Sequence, residues 1–257
     1  MKESSCSGLA LHYLVPAMAL LSALGLLATR SNQTVFFLFN GLGPRTGDVL
    51  WAHWTLFGDA LVLLVLVLPF VGRRPALVWS MLITAVITGI AVSLIKNSVA
   101  APRPPAVLAA DVIHVIGRAY QSRSFPSGHT AAAFAYAGVL SLHFRRGWLM
   151  VLSLGLALGV GISRMAVGVH WPLDVAAGAG VGWLCAVGGS YVARRWPWGE
   201  SRVGQRVIAV LLLLAAFGLL LLFKVDPPAT LFLPKGVAVM ALIMAAPGLA
   251  AIWRGRG

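Results

Sequence analysis

Three short segments of this 257-residue chain hold side chains whose types and spacing suit chemistry. The first is Lys96 with Arg103-Pro104 after six intervening residues. The second is Pro126-Ser127-Gly128-His129, and the third is Ser163-Arg164 followed by His170 and Asp174. His170 and Asp174 are four apart, a spacing that lets two side chains meet on one helix face. A carboxylate bonded to one imidazole nitrogen fixes the tautomer and leaves the other nitrogen free as nucleophile or base. Arg164 can hold a phosphate through two parallel hydrogen bonds. Lys96 and Arg103, restrained by Pro102 and Pro104, can converge on the same anion. Ser127 suits a helix N-cap. Gly128 lets a ligand approach the free N–H groups of a helix start, and His129 is placed to protonate a leaving oxygen. Three cations, two histidines and one carboxylate so arranged point to attack on a phosphate ester at a membrane surface.

Each fragment alone has an ordinary explanation. Arg164 at a span end can snorkel to the interface, Asp174 early in a helix complements its dipole, and cations commonly flank membrane helices. Only the combination and order of the segments weigh against these explanations.

The elements that must position these residues are membrane helices. Hydrophobic residues make up 59% of the chain and charged ones 11%, against about a quarter charged in soluble domains. Mean hydropathy is +0.88. Eight apolar segments are expected at 9–28, 51–71, 76–95, 128–144, 148–168, 172–193, 206–224 and 231–252, mostly near the 20 or so residues that cross a bilayer core. The segment from Phe36 to Trp54 is expected in the membrane interface, and the long loop 97–127 to hold a short amphipathic stretch from Asp111 to Tyr120. Asp59, in or near the second span, is expected to cap or pack a helix. Asn32-Gln33-Thr34 fits a glycosylation acceptor triplet, which arises easily by chance.

The net charge of +13 does not imply nucleic acid, because the basic residues lie in short clusters between apolar runs without interleaved aromatic residues. With both termini cytoplasmic, eleven basic residues fall inside: Lys2, Arg73, Arg74, Arg145, Arg146, Arg194, Arg195, Arg202, Arg206, Arg254 and Arg256. Nine fall outside: Arg30, Arg45, Lys96, Arg103, Arg118, Arg123, Arg164, Lys224 and Lys235. Setting aside Lys96, Arg103 and Arg164 as site residues widens the margin in favour of this orientation, which puts all three segments on the outer face. Cys6 and Cys185 are too far apart in the expected topology to suggest a disulfide or a metal framework.

Taken together, the three segments, spanning residues 96–174, resemble the signature of the type 2 phosphatidic acid phosphatase superfamily, which includes vanadium haloperoxidases and bacterial acid phosphatases. The resemblance implies an all-α, polytopic transmembrane bundle. Residues 1–195 would form a six-span phosphatase-like core, and residues 196–257 a basic loop and two additional spans outside the resemblance. It implies that His170 is the nucleophile forming a phosphohistidine, that Asp174 orients it, and that His129 is the general acid. Lys96, Arg103, Ser127, Gly128 and Arg164 would bind the phosphate, with no metal and no cofactor.

The expected protein is a lipid-phosphate phosphatase in the bacterial plasma (inner) membrane with its site on the periplasmic face. The substrate classes are phosphatidic acid, phosphatidylglycerol phosphate, undecaprenyl diphosphate and lipid A phosphate. The same residues would serve a phosphotransferase that passes the phosphate to a second lipid. A rival of another class is an anion-binding channel or transporter without turnover. A transporter is expected to gather its charges near the membrane midplane, whereas here they lie at span ends.

Overall fold

A computed structural model describes residues 4–144, 146–227 and 230–254, with side chains from Tyr13 onward. The described chain is all helical. The long helices are α1 (Ser4–Ala28), α6 (Pro75–Val99), α8 (Gly128–Phe144), α9 (Gly147–Ala166), α10 (Pro172–Arg195), α11 (Arg202–Leu221) and α12 (Phe232–Trp253). Shorter helices are α2 (Asn32–Asn40), α3 (Leu42–Thr46), α4 (Asp48–Leu56), α5 (Ala60–Val65) and α7 (Pro104–Val107), and 3-10 turns lie at Leu68–Phe70 and Pro197–Glu200. Five segments of the described chain are long and apolar enough to cross a bilayer, or seven if two bent pairs each count as one span. Helix α8, with 17 residues, is at the short end of the crossing range.

The core of the bundle is α8 against α10, with α6, α1 and α9 around them. Close approach of α8 and α10 depends on small residues. A Cβ on Gly182 would lie 2.1 Å from the Ala131 carbonyl oxygen, so only glycine fits there. Helices α11 and α12 pair with each other and pack against α5 and the Leu68–Phe70 turn. Leu212, Ala216, Leu219, Ala241 and Ala245 contribute to that second apolar cluster, together with Val65 and Leu68.

Two segments differ from the sequence expectation, and a third makes buried contacts. The second span, 51–71, is broken: α4 and the stretch from Ala60 to Phe70 meet at a bend of 53°. The break is at Gly58-Asp59, where Asp59 Oδ1 accepts the Leu61 and Val62 N–H groups and starts a new helix. A Cβ on Gly58 would lie 2.5 Å from Val160 and 2.8 Å from the His129 Cβ. The break therefore lets the chain lie directly against α8 and α9.

The Phe36–Trp54 segment folds back onto the bundle. After α1 the chain bends by 110°, and α2 buries Phe36 and Asn40. The Asn40 amide donates to the carbonyls of His114, Met165 and Ala166 and accepts the His114 N–H. Asp111–Tyr120 forms no helix. Its backbone groups bond elsewhere, as in the Ile116 N–H to the Val167 carbonyl, and Gly117 sits at φ 80°. Asn32 has a structural role, its side-chain oxygen accepting the Leu173 N–H at the start of α10.

Candidate active site

The ends of α6 and α9 and the beginnings of α8 and α10 bring the three segments to one end of the bundle. At its centre is His170, 2% exposed, in the short connection before α10. Asp174 lies in the first turn of α10, started by Pro172, as proline's fixed φ favours. The two residues meet, but not along a shared helix face. Asp174 reaches back beyond the helix start, with its Oδ2 3.2 Å from His170 Nδ1. The same oxygen accepts the Trp171 N–H at 2.9 Å and the Ser124 hydroxyl proton. Three donors on one carboxylate oxygen fix its position, and with Nδ1–H donating to it, Nε2 carries the free lone pair.

Arg103 faces that nitrogen. Its Nη1 is 3.3 Å from His170 Nε2 and donates to the Val169 carbonyl at 3.1 Å, while its Nε donates to the Ser122 carbonyl at 2.9 Å. The guanidinium also lies over the Tyr120 ring, 5.2 Å from its centroid, a favourable cation–π distance. Burial, followed by the charges of Arg164, Arg103 and Lys96 and by neighbouring His129, holds the His170 imidazole well below its ordinary 6.5. At neutral pH the ring is therefore uncharged.

The remaining predicted site residues make no hydrogen bond to His170 among the described residues. Lys96 donates to the backbone carbonyls of Arg123 (2.6 Å) and Ser124 (3.3 Å), fastening the loop that delivers Ser124. Arg164 is buried in the last turn of α9, at 7% exposure, and does not snorkel. One of its terminal nitrogens donates to the Thr55 hydroxyl oxygen of α4, and its Nε has no partner among the described residues. Ser127 is buried and accepts from the Thr130 hydroxyl (2.9 Å) and N–H (3.4 Å), which gives it the capping role. Its own N–H donates to the Asp174 carbonyl.

His129, in the first turn of α8, packs against Gly58 and lines a partly open groove of about 360 Å³ together with Gly128. The rest of that groove is mostly apolar, with Leu63, Leu64, Val67, Met81, Ala85 and Val92 among its walls.

Ser124, Thr55 and Trp171 were not singled out by the sequence. Ser124 is directly attached to the Phe125-Pro126-Ser127 run, so a polar residue there was a usable signal. Thr55 lies in an apolar stretch with nothing to distinguish it. Trp171 anchors the loop by donating its indole N–H to the Pro102 carbonyl at 3.0 Å. His114, which matched no motif, has its Nε2 2.8 Å from Asp48 Oδ1 and ties the same loop to α4.

Comparisons with known proteins bear on the fold that carries these residues. The profile of the PAP2 superfamily matches residues 77–198. The bacitracin transport permease protein BcrC of Bacillus licheniformis is 51% identical over 65 residues, 25% of this chain and 30% of that protein. A lipid A 1-phosphatase of Porphyromonas gingivalis is 40% identical over 74 residues, 28% of this chain and 17% of that protein. The chain thus spans less than a third of the length of these two curated relatives. The crystal structure of Aquifex aeolicus LpxE matches with a TM-score of 0.56 at 32% identity, over 62% of this chain and 93% of that one. With that fold shared along nearly the whole of a related structure, and the family profile running over the helices that carry all three segments, this multi-pass membrane protein belongs to the PAP2 superfamily.

Proposed function

We propose that the protein is an integral membrane phosphatase that removes a phosphate from a lipid through a phosphohistidine. The observation that carries this reading is the largely apolar groove whose wall includes Gly128 and His129. In this reading an uncharged lipid chain would lie there beside His129 as proton donor, with the neutral His170 imidazole, Arg103 and Arg164 acting on the phosphoryl group. The substrate's apolar chain would lie in the groove, with its phosphoryl group between His129 and His170.

His170 Nε2 would then attack phosphorus while the bond to the lipid oxygen breaks, and His129 would give its proton to that oxygen. Nδ1–H, held by Asp174, would stabilise the imidazolium character that develops. In the second step water would attack phosphorus, the P–N bond would break, and His129 would take the water proton. Arg103 would turn from Nε2 to the phosphoryl oxygens, and the unpartnered Nε of Arg164 would complete the clamp. Lys96, with the backbone around Ser127 and Gly128, would add positive potential. Charge compensation in this reading comes from these cations and requires no metal.

In this reading the site would face the outer, periplasmic side of the inner membrane. Arg73, Arg74, Arg146, Arg194, Arg195, Arg202, Arg206 and Arg254 flank the opposite helix ends, as the positive-inside rule favours. Lys2, Arg145 and Arg256, counted with them in the sequence, lie outside the described residues. Residues 1–195 are proposed as the catalytic core and residues 196–257 as a buttress whose helices pack on α5, one wall of the groove.

The relative named as a permease speaks for transport, but the cations here ring one end of the bundle, which favours turnover over passage. The test uses the full chain, purified in detergent, against phosphatidic acid, phosphatidylglycerol phosphate, undecaprenyl diphosphate and lipid A. Phosphate release from at least one, abolished by His170→Ala, is expected. Release from none, with no phosphoenzyme formed, would refute hydrolysis. A phosphoenzyme that discharges only when a second lipid is added would make the protein a phosphotransferase.

A further inference from the structure

The groove beside His129 has a defined length. Residues of α5, α6 and α8 line it. At its head end Val92 of α6 stands against Gly128, 3.6 Å from where a Cβ on that glycine would lie. At the other end it is bounded by Tyr136, Val67 and Met81. There the Tyr136 hydroxyl donates to the Leu66 carbonyl at 3.3 Å, tying α8 to the end of α5, and Val67 and Met81 are buried. Tyr136 lies eight residues beyond Gly128 on α8, and Met81 lies eleven before Val92 on α6. At 1.5 Å per residue the groove is about 12–16 Å long, roughly one leaflet of a ~30 Å hydrocarbon core.

That length and the volume agree on what fits. Three backbone bonds span up to 3.6 Å in an extended chain, about 1.2 Å per bond, so about ten to thirteen carbons reach from end to end. A volume of about 360 Å³ holds roughly twelve groups the size of a water, at ~30 Å³ each. The groove therefore encloses one hydrocarbon chain and not two. Ala60, Ala85 and Gly89 are small and exposed along it, and a Cβ on Gly89 would meet nothing within 4 Å. A chain can enter sideways past them from the bilayer.

Resting on the phosphatase reading above, we infer that the groove measures a single hydrocarbon chain of the substrate, taking about ten to thirteen carbons between His129 and Tyr136. The second chain of a two-chain lipid stays outside, in the bilayer. Gly89 and Ala85 set the free depth along α6. They lie three and seven residues inward from Val92, about 4–5 Å and 10–11 Å along the groove. A large side chain at either position stops the chain at that depth.

The experiment measures kcat/KM for phosphate release from propyl, hexyl and dodecyl phosphate by the full chain in detergent micelles. It compares the wild type with Gly89→Phe and Ala85→Phe, with thermal melting as the folding control. Partition into the micelle is a property of each compound and cancels when a variant is compared with the wild type. A propyl chain reaches about 4 Å, a hexyl chain about 7 Å and a dodecyl chain about 14 Å. Gly89→Phe is expected to lower the hexyl-to-propyl ratio at least about tenfold, the size of a 1.4 kcal/mol change. Ala85→Phe is expected to lower the dodecyl-to-hexyl ratio by as much while moving the hexyl-to-propyl ratio less than about threefold. Ratios unchanged in both variants, or the same ratio falling in both, would overturn the inference while leaving the phosphatase reading intact. So would a wild type that acts on the lipid panel above and on none of the alkyl phosphates. Release from none of the alkyl phosphates and none of that panel would overturn both.

Discussion

Replacing Thr55 by valine tests whether the broken second span positions the clamp. The Thr55 hydroxyl is the hydrogen-bond acceptor for the Arg164 guanidinium among the described residues, and Arg164 is 7% exposed. Valine keeps the volume and branching of threonine, so no cavity forms, but it offers nothing to accept from the arginine. Hydrogen bonds to charged groups are worth about 1.5–3 kcal/mol. If the whole of that is lost from the transition state, kcat/KM falls roughly 10- to 150-fold, at 1.36 kcal/mol per tenfold. The assay is phosphate release by the purified protein in detergent, alongside Thr55→Ser and Arg164→Ala, with thermal melting as the folding control. Thr55→Ser restores the acceptor and should return activity to within about threefold of the wild type, since only a methyl group is missing. The reasoning fails if Thr55→Val keeps activity within about twofold of the wild type while Arg164→Ala loses it.

Ser124→Ala removes one of the three donors to Asp174 Oδ2, and its kcat should fall about tenfold, the low end for a charge-assisted hydrogen bond. In the folded protein His170 stays neutral well below pH 6.5, whereas in the unfolded chain it takes up a proton near 6.5. Above that pH the residue contributes no pH dependence. As pH falls through and below it, only the unfolded state gains the proton and stability is lost. Melting temperature should therefore drop between pH 7.5 and 5 by more in the wild type than in His170→Ala. Gly58→Ala would force a Cβ to within 2.5 Å of Val160 and 2.8 Å of the His129 Cβ, and should cost about 1–3 kcal/mol of stability as an overpacked contact, read as a lower melting temperature in detergent.

The parts of the fold legible in the sequence were those carried by long apolar runs. Helices α6, α9, α10 and α12 occupy their expected segments to within a few residues. Helix α11 starts at Arg202, ahead of the apolar run, because Ser201 caps it by accepting the Gly204 N–H. Hydropathy averages over a window, and so it passed across Gly58-Asp59 and read one span where a cap begins a second helix. The stretch from Asp111 to Tyr120 has amphipathic spacing but finds its backbone partners on Asn40 and Val167, which are distant in sequence.

Within the site, the His170–Asp174 contact was readable from a spacing of four, although it forms across a helix start and not along a helix. Arg164 was read as a phosphate ligand, but its contact with Thr55 was not legible because a sequence does not record that α4 covers the end of α9. Thr55 acts through a contact spanning 109 residues, which no local pattern marks, whereas the Ser124 contact spans 50 residues and only its place beside the Pro126-Ser127 run could have signalled it.

The central claim is that His170 is the phosphoryl acceptor. The most direct test is to mix the full chain in detergent with a ³²P-labelled lipid phosphate, quench within the first turnover, and look for protein-bound label. The account predicts a label that is stable to base, lost in acid, located at His170 by mass spectrometry, and missing from His170→Ala. Turnover at the wild-type rate by His170→Ala, or a label on any other residue, would contradict it.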